Sequence, residues 1–210
     1  MNIPEQTVSV ETMRKSDAWT IEHLVPSKEL MRRAGTAIFE AGKWIAPVAV
    51  VCGKGNNAGD GYVAADLMHQ AGIDCEIILL SDRFSEDGRY YFDRCVEKGI
   101  PVLEYEPGQI DFKAYHIIVD CVLGTGFQGE PRDAVASVIG EINYTRETAD
   151  IYVISVDINS GMNGDTGEGE NAVVSDLTVS IGFYKTGFFQ GKAPKLIGSL
   201  MNVDIGIELP

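Results

Sequence analysis

No stretch of this chain approaches the roughly 18 consecutive apolar residues that a membrane-crossing helix needs. Its first residues also lack the basic-then-apolar pattern of a secretion signal. Basic residues are scarce: 17 Lys and Arg stand against 31 Asp and Glu, for a formal net charge of −14. A chain this acidic is repelled by a nucleic-acid backbone and by an anionic membrane, so neither is expected as a main partner. Cysteine is sparse. Cys52, Cys75, Cys95 and Cys121 are unevenly spaced with no C-x-x-C pair, which fits a reducing, cytoplasmic setting better than a disulfide framework. The three histidines, His23, His69 and His116, are isolated and give no zinc pattern. No internal repeat, low-complexity tract or linker interrupts the 210 residues, so a single domain over 1–210 is expected.

What is present is an alternation of helical and fully apolar segments. Ser9 is placed to cap a first helix, and Ser27 a second after Pro26. Leu30, Met31, Ala34, Ile38, Ala41 and Ile45 recur at helical spacing, so two N-terminal helices are expected over about 9–45. Apolar runs at Pro47–Gly53, Cys75–Ser81, His116–Gly124, Ile151–Asp157, Asp176–Gly182 and Ser199–Gly206 read as strands, with a short one near Val102. Gly61–Ala71, Ser85–Lys98 and a segment through Ala134, Val135, Val138, Ile139 and Ile142 read as helices. Continuous apolar strands separated by helices predict an α/β, Rossmann-like, doubly wound and largely parallel sheet with helices on both faces, a three-layer α/β/α sandwich. Gly161–Gly169 is expected to be a flexible loop.

In such a sheet ligands lie beyond the carboxyl ends of the strands, so the segment after each strand is informative. Gly53–Gly61 (GKGNNAGDG) joins a strand to a helix, and its glycines together with the free N–H groups of the helix start suit a phosphate. Gly53-x-Gly55-x-x-Ala58 meets the loose dinucleotide fingerprint, yet the nearest acidic ribose partner, Asp82, is poorly placed and no Walker lysine is present. A purely structural use is open too: Asp60 capping the helix and the asparagines shaping a turn. Val119–Arg132 (VDCVLGTGFQGEPR) puts Asp120 inside an apolar strand, where a carboxylate needs a partner, with another glycine-rich turn after it. In Ser155–Gly161 (SVDINSG), Asp157 falls at a strand end, a candidate general acid/base or a turn former. Asn57, Asp120 and Ser160 supply oxygen atoms enough for a hard cation or for a hydrogen-bond network without one. Lys185 is either a counter-charge for phosphate or a solvated surface lysine. Tyr184, Phe188 and Phe189 either stack on a ring or pack.

Taken together, PSKELMRRAG (Pro26–Gly35), GKGNNAGDG, VDCVLGTGFQGE, SVDINSG and SDLTVSIG…DIGI, in this order, resemble the NAD(P)H-hydrate epimerase family, also described as the YjeF N-terminal domain. The resemblance runs from about Val10 to Ile207. It implies a Rossmann-like isomerase that interconverts the R and S forms of hydrated NADH and NADPH, a metabolite-repair step coupled to a separate dehydratase. It places the nucleotide on Asn56, Asn57, Ala58, Gly59 and Asp60, on Gly124, Thr125, Gly126, Phe127, Gln128, Gly129 and Glu130, and on Asp157. It places one potassium ion per subunit on Asn57, Asp120 and Ser160. The family usually has glycine where Ala58 stands and proline where Asn159 stands. Ala58 is therefore expected to add a methyl beside the phosphate path, and Asn159 to relax the turn holding Asp157 and Ser160. With no lysine after Gly126, charge neutralisation falls to backbone amides and Lys185. No fused dehydratase is expected, and a homodimer is compatible with the first helices. Competing expectations are a non-catalytic nucleotide-binding or partner-binding protein and, from the glycine fingerprint alone, an NAD(P)-dependent oxidoreductase.

Overall fold

The apolar runs become strands because the sheet is buried from both sides. The computed structural model describes residues 7–209. Its strands are β1 (Val48–Cys52), β2 (Cys75–Leu79), β3 (Val102–Glu104), β4 (Ile117–Cys121), β5 (Tyr152–Val156), β6 (Ser175–Ile181) and β7 (Ile197–Val203). They form one sheet in the order β3-β2-β1-β4-β5-β6-β7, with every neighbouring pair parallel. Successive side chains alternate between faces: Val48, Val50 and Cys52 enter one core, Ala49 and Val51 the other.

The first core is closed by α1 (Val10–His23), α2 (Ser27–Ala41), α3 (Asn56–Gln70) and α4 (Glu86–Glu97), which contribute Met13, Ile38, Tyr62 and Cys95 among others. The second is closed by α5 (Asp133–Thr148), through Val138, Ile139 and Ile142. A short α6 (Ala193–Leu196) covers a third cluster with Ile158, Met162 and Phe188. The doubly wound three-layer architecture expected from the sequence is therefore present. All four cysteines are free and buried, and no helix among the described residues is long and apolar enough to cross a membrane. The chain builds outward from β1 to β2 and β3, then crosses back to place β4 on the other side of β1. That reversal splays the loops after β1 and β4 and opens a crevice between them.

Several boundaries differ from the sequence reading, each for a local reason. Ser9 does cap α1, accepting from Thr12 N at 3.1 Å. Ser27 is instead the first residue of α2, behind a Pro26 that makes no side-chain cap. The backbone turns extended at Gly42, so α2 stops at Ala41 and Ile45 is left 65% exposed. α3 begins at Asn56, taking in the glycine-rich segment that reads as a loop. Gly61 is there for clearance, since a Cβ on it would lie 2.7 Å from Cys121 Sγ on β4. The β5–β6 crossover, residues 157–174, has no helix. Its Gly161–Gly169 loop is laced by hydrogen bonds, Asn163 N to Glu168 O at 2.7 Å and Gly187 N to Gly164 O at 2.8 Å.

Gly53 sets how closely the ends of β1 and β4 approach. A Cβ there would sit 2.0 Å from the backbone oxygen of Val122, which cannot swing away as a side chain could. Gly53→Ala should destabilise the fold by about 1–3 kcal/mol, the usual cost of overpacking. Thermal melting would show this as a loss of roughly 2–4 °C per kcal/mol.

Candidate functional site

The crevice holds a cavity of about 500 Å3. Its floor is the strand-end loops: Lys54, Gly55, Asn56, Asn57 and Asp60 after β1, Val122–Phe127 after β4, and Asp157 after β5. α1 and α2 wall it with Met13, Arg14, Asp17, Ile21, Ser27, Leu30, Met31 and Ala34. The size suits a small-molecule ligand, and the free N–H groups of the first turn of α3 are placed for an anion.

Of the residues singled out in the sequence, Asn56, Asn57, Asp60, Gly124, Thr125, Gly126, Phe127 and Asp157 are brought together in this cavity. Ala58 is not on its wall. It is 2% exposed and packed in the core, because the helical turn points it inward, so its extra methyl does not narrow the cavity. Gly59 lies on the same inward side, with Met31 Sδ 2.4 Å from where a Cβ would stand. Asp60, within α3, does not cap the helix, whose N-cap is Gly55. Gln128, Gly129 and Glu130 line a second cavity of about 340 Å3 with Gly161–Asn163 and Glu168–Glu170, meeting the first at Phe127.

Lys185 overturns the expectation of a solvated or phosphate-facing lysine. It is fully buried and forms an ion pair with Asp157. It also donates to Ile181 O at 3.0 Å and Ser180 Oγ at 3.3 Å. The cations on the cavity are Arg14 and Lys54 instead, Arg14 Nη2 donating to Gly126 O at 3.0 Å. Asp157 has a left-handed backbone, φ +65°, directly after β5, and its side chain is 17% exposed at the cavity. Phe188 is fully buried and Tyr184 packs edge-on to Phe189, so these aromatics pack.

Asn159 does not relax its turn. Its amide nitrogen donates to Val173 O at 2.9 Å, Ser175 Oγ at 3.0 Å and Leu196 O at 3.1 Å, and its oxygen accepts from Thr178 Oγ1 at 2.6 Å. With every polar atom satisfied and no exposure, this side chain is a hydrogen-bonded pin for the turn.

Asn57, Asp120 and Ser160 do converge. Asn57 Nδ2 donates to Leu123 O at 2.9 Å, and Leu123 N donates to Ser160 Oγ at 2.8 Å. Ser160 Oγ donates to Asp120 Oδ1, while Ser155 Oγ and Ser160 N donate to Asp120 Oδ2 at 2.9 and 3.0 Å. Burial pushes the Asp120 carboxyl up, against the pull of these hydrogen bonds. Asn57 Oδ1 is buried with no hydrogen-bond partner. Native folds rarely leave such an oxygen unpaired. The donor set is oxygen-only with one carboxylate, and no cluster of three His, Cys, Asp or Glu among the described residues could hold a metal. This chemistry fits a weakly charged hard cation and does not fit zinc.

The structure adds residues the sequence reading missed, Arg14, Lys54 and above all Asp17. Asp17 is half-buried at the cavity, on the face of α1 that carries Met13 and Thr20, and a carboxylate at that helical spacing is the signal that could have found it. Burial and then the Asp157 charge push its carboxyl up to about 7, with Lys185 opposing. Asp60 is likewise pushed well up by burial, Asp157 and Asp17. Folded protein thus keeps the Asp17 proton up to about pH 7, while the unfolded chain sheds it near pH 4. Between those values the folded state binds more protons, so stability falls as pH rises and levels off above the window. The charged neighbours that share this cavity are Arg14, Lys54, Asp60, Asp87 and Asp157, with Lys185 behind. Asp17→Asn should melt above the parent at pH 8, by roughly 2–4 °C per kcal/mol relieved, and lose that advantage at pH 4.

A family profile described as YjeF-related protein N-terminus matches residues 27–187. A protein of Weissella koreensis named NAD(P)H-hydrate epimerase is 31% identical over 212 residues, covering 97% of this chain and 92% of that one. Its namesake from Limosilactobacillus fermentum is 34% identical, covering 95% and 97%. The Bifunctional NAD(P)H-hydrate repair enzyme Nnr of Coxiella burnetii is 34% identical over 203 residues; this chain spans 40% of its length. A crystal structure described as yeast ynu0, YNL200c has the same fold, with a TM-score of 0.78 over 98% of this chain and 95% of that one, at 20% identity. By the extent of these matches, the chain belongs to the YjeF-related N-terminal family.

Proposed function

We propose that this protein, acting as one domain, is an NAD(P)H-hydrate epimerase that interconverts the R and S forms of hydrated NADH and NADPH. The observation that carries this reading is the convergence of Asn57, Asp157 and the Gly124–Phe127 turn on one cavity at the switch point of the sheet. Full-length relatives that bear the epimerase name support it. The bifunctional relatives, with repair functions in one chain, support coupling to a dehydratase that clears the hydrate.

In the hydrate, C6 of the nicotinamide ring carries a hydroxyl next to the ring nitrogen. The nitrogen lone pair expels that hydroxyl, leaving a planar carbon that water attacks on either face. Asp157, held beside Lys185 at the cavity floor, moves the proton for these steps. Arg14, Lys54 and the start of α3 bind the phosphates, and the apolar wall of Met13, Leu30 and Met31 excludes bulk water. Asn57, Asp120, Ser160 and the Leu123 carbonyl would hold potassium, which would supply a fixed positive charge.

A pure epimer of hydrated NADH, followed by chromatography with and without the protein, tests the reading. Interconversion faster than the spontaneous rate is expected; binding with an unchanged R:S ratio would leave only a nucleotide-binding protein. Potassium at about 100 times its Kd should stabilise the fold by about 2.7 kcal/mol over a tetramethylammonium control. Asp120→Asn should lose that gain in a melting experiment.

A further inference from the structure

An epimerase has a problem that one acid/base group solves poorly. The hydroxyl leaves from one face of the ring, and the new one must arrive on the other. The cavity carries more than one carboxyl. Asp157 enters it from the end of β5, and Asp17 enters it from α1, the helix that walls it. The two are near enough for the Asp157 charge to act on Asp17, with Lys185 close to both. Their surroundings differ. Asp157 has the buried ammonium of Lys185 as its partner, whereas only burial and neighbouring charges, and no hydrogen bond, act on Asp17. Asp17, pushed up to about 7, thus offers an acid near neutral pH beside the ion-paired Asp157, a contrast in surroundings that divides acid and base roles between two carboxyls. Arg14, one turn before Asp17, donates to Gly126 O and forms no ion pair with Asp17.

We propose that Asp17 is the second catalytic acid/base of this site, serving the face of the nicotinamide ring opposite to the one served by Asp157. The inference rests on the epimerase reading. In one direction the Asp17 carboxyl protonates the C6 hydroxyl as the C6–O bond breaks, the nitrogen lone pair forms the C6–N double bond, and water departs. On the other face a second water forms the new C6–O bond while Asp157 carboxylate takes its proton and the double-bond pair returns to nitrogen. One proton has passed from Asp17 to Asp157 and one water has replaced another, so atoms and charge balance. The reverse reaction resets both groups.

The test is an oxygen-exchange experiment on the full chain in 18O-labelled water. Each pure epimer of hydrated NADH is followed by chromatography and mass spectrometry, with spontaneous exchange subtracted. Asp17→Asn should slow interconversion in both directions by about 10²–10⁴-fold while still binding nucleotide. It should exchange label, without inversion, into only the epimer whose hydroxyl faces Asp157. Asp157→Asn should exchange label into only the other epimer. Asp17→Glu should recover part of the interconversion. Asp17→Ser provides a smaller side chain should the amide fold poorly. The proposal is overturned if Asp17→Asn interconverts within threefold of the parent, or if either single variant exchanges both epimers alike. Loss of exchange in both epimers with nucleotide binding intact also overturns it. If the parent protein itself gives no acceleration, the epimerase reading falls; if the parent accelerates and Asp17→Asn does too, only the role of Asp17 falls.

Discussion

Asp157→Asn should lower the rate of epimer interconversion by about 10²–10⁴-fold, the usual worth of a positioned acid/base group, and leave nucleotide binding nearly unchanged. The amide is the same size, and its oxygen can still accept from Lys185 Nζ, so the floor of the cavity keeps its shape. What disappears is the ability to take and return a proton. Phosphate contacts are made elsewhere on the wall, by Arg14, Lys54 and the start of α3. Chromatographic rates set beside nucleotide titration separate the two effects. Full turnover in the variant would remove Asp157 from the chemistry and leave it a turn former with a left-handed backbone.

The second large effect concerns stability, and it is asymmetric across one ion pair. Lys185 is fully buried, whereas Asp157 keeps 17% of its side chain exposed at the cavity. Asp157→Ala therefore strands an ammonium out of reach of water, with only Ser180 Oγ and Ile181 O to receive its protons. Breaking a buried pair in this way costs about 3–5 kcal/mol, or roughly 2–4 °C of melting temperature per kcal/mol. Lys185→Met should cost less, because the carboxylate left behind can hydrate through the cavity. The Asp157→Ala, Lys185→Met double variant should recover much of the stability lost by Asp157→Ala, and none of the activity. Melting curves for the four proteins form a closed cycle that isolates the coupling. Additive losses would show that the pair carries no interaction of its own.

The strands were legible because parallel strands buried on two faces need unbroken apolar, β-branched runs, as in Val48–Val51 and Ile117–Val119. The start of α3 was not, because glycine signals a turn in isolation, and its use as clearance against Cys121 appears only once β4 lies beside it. The carboxylate at a strand end and the three oxygen residues were readable from strand-end logic alone. Lys185 was not, since a lone lysine carries no mark of burial until Asp157 is placed beside it. Asp17 was hidden in a helix that also buries Ser16 and Thr20, and its neighbours in the cavity come from α3 and the end of β5, far away in the chain. The effect of Asn159 was misread because a proline's stiffness is intrinsic, while that of an amide depends wholly on partners from Val173, Ser175, Thr178 and Leu196.

Asn159 makes this corner depend on one side chain. A proline at this corner would have no side-chain nitrogen to lose, but Asn159 contributes one that serves three acceptors at once. A carboxylate in its place, as in Asn159→Asp, would set oxygen against the Val173 and Leu196 carbonyls, one residue from Ser160 and two from Asp157. The corner that carries both residues thus hangs on a single uncharged amide.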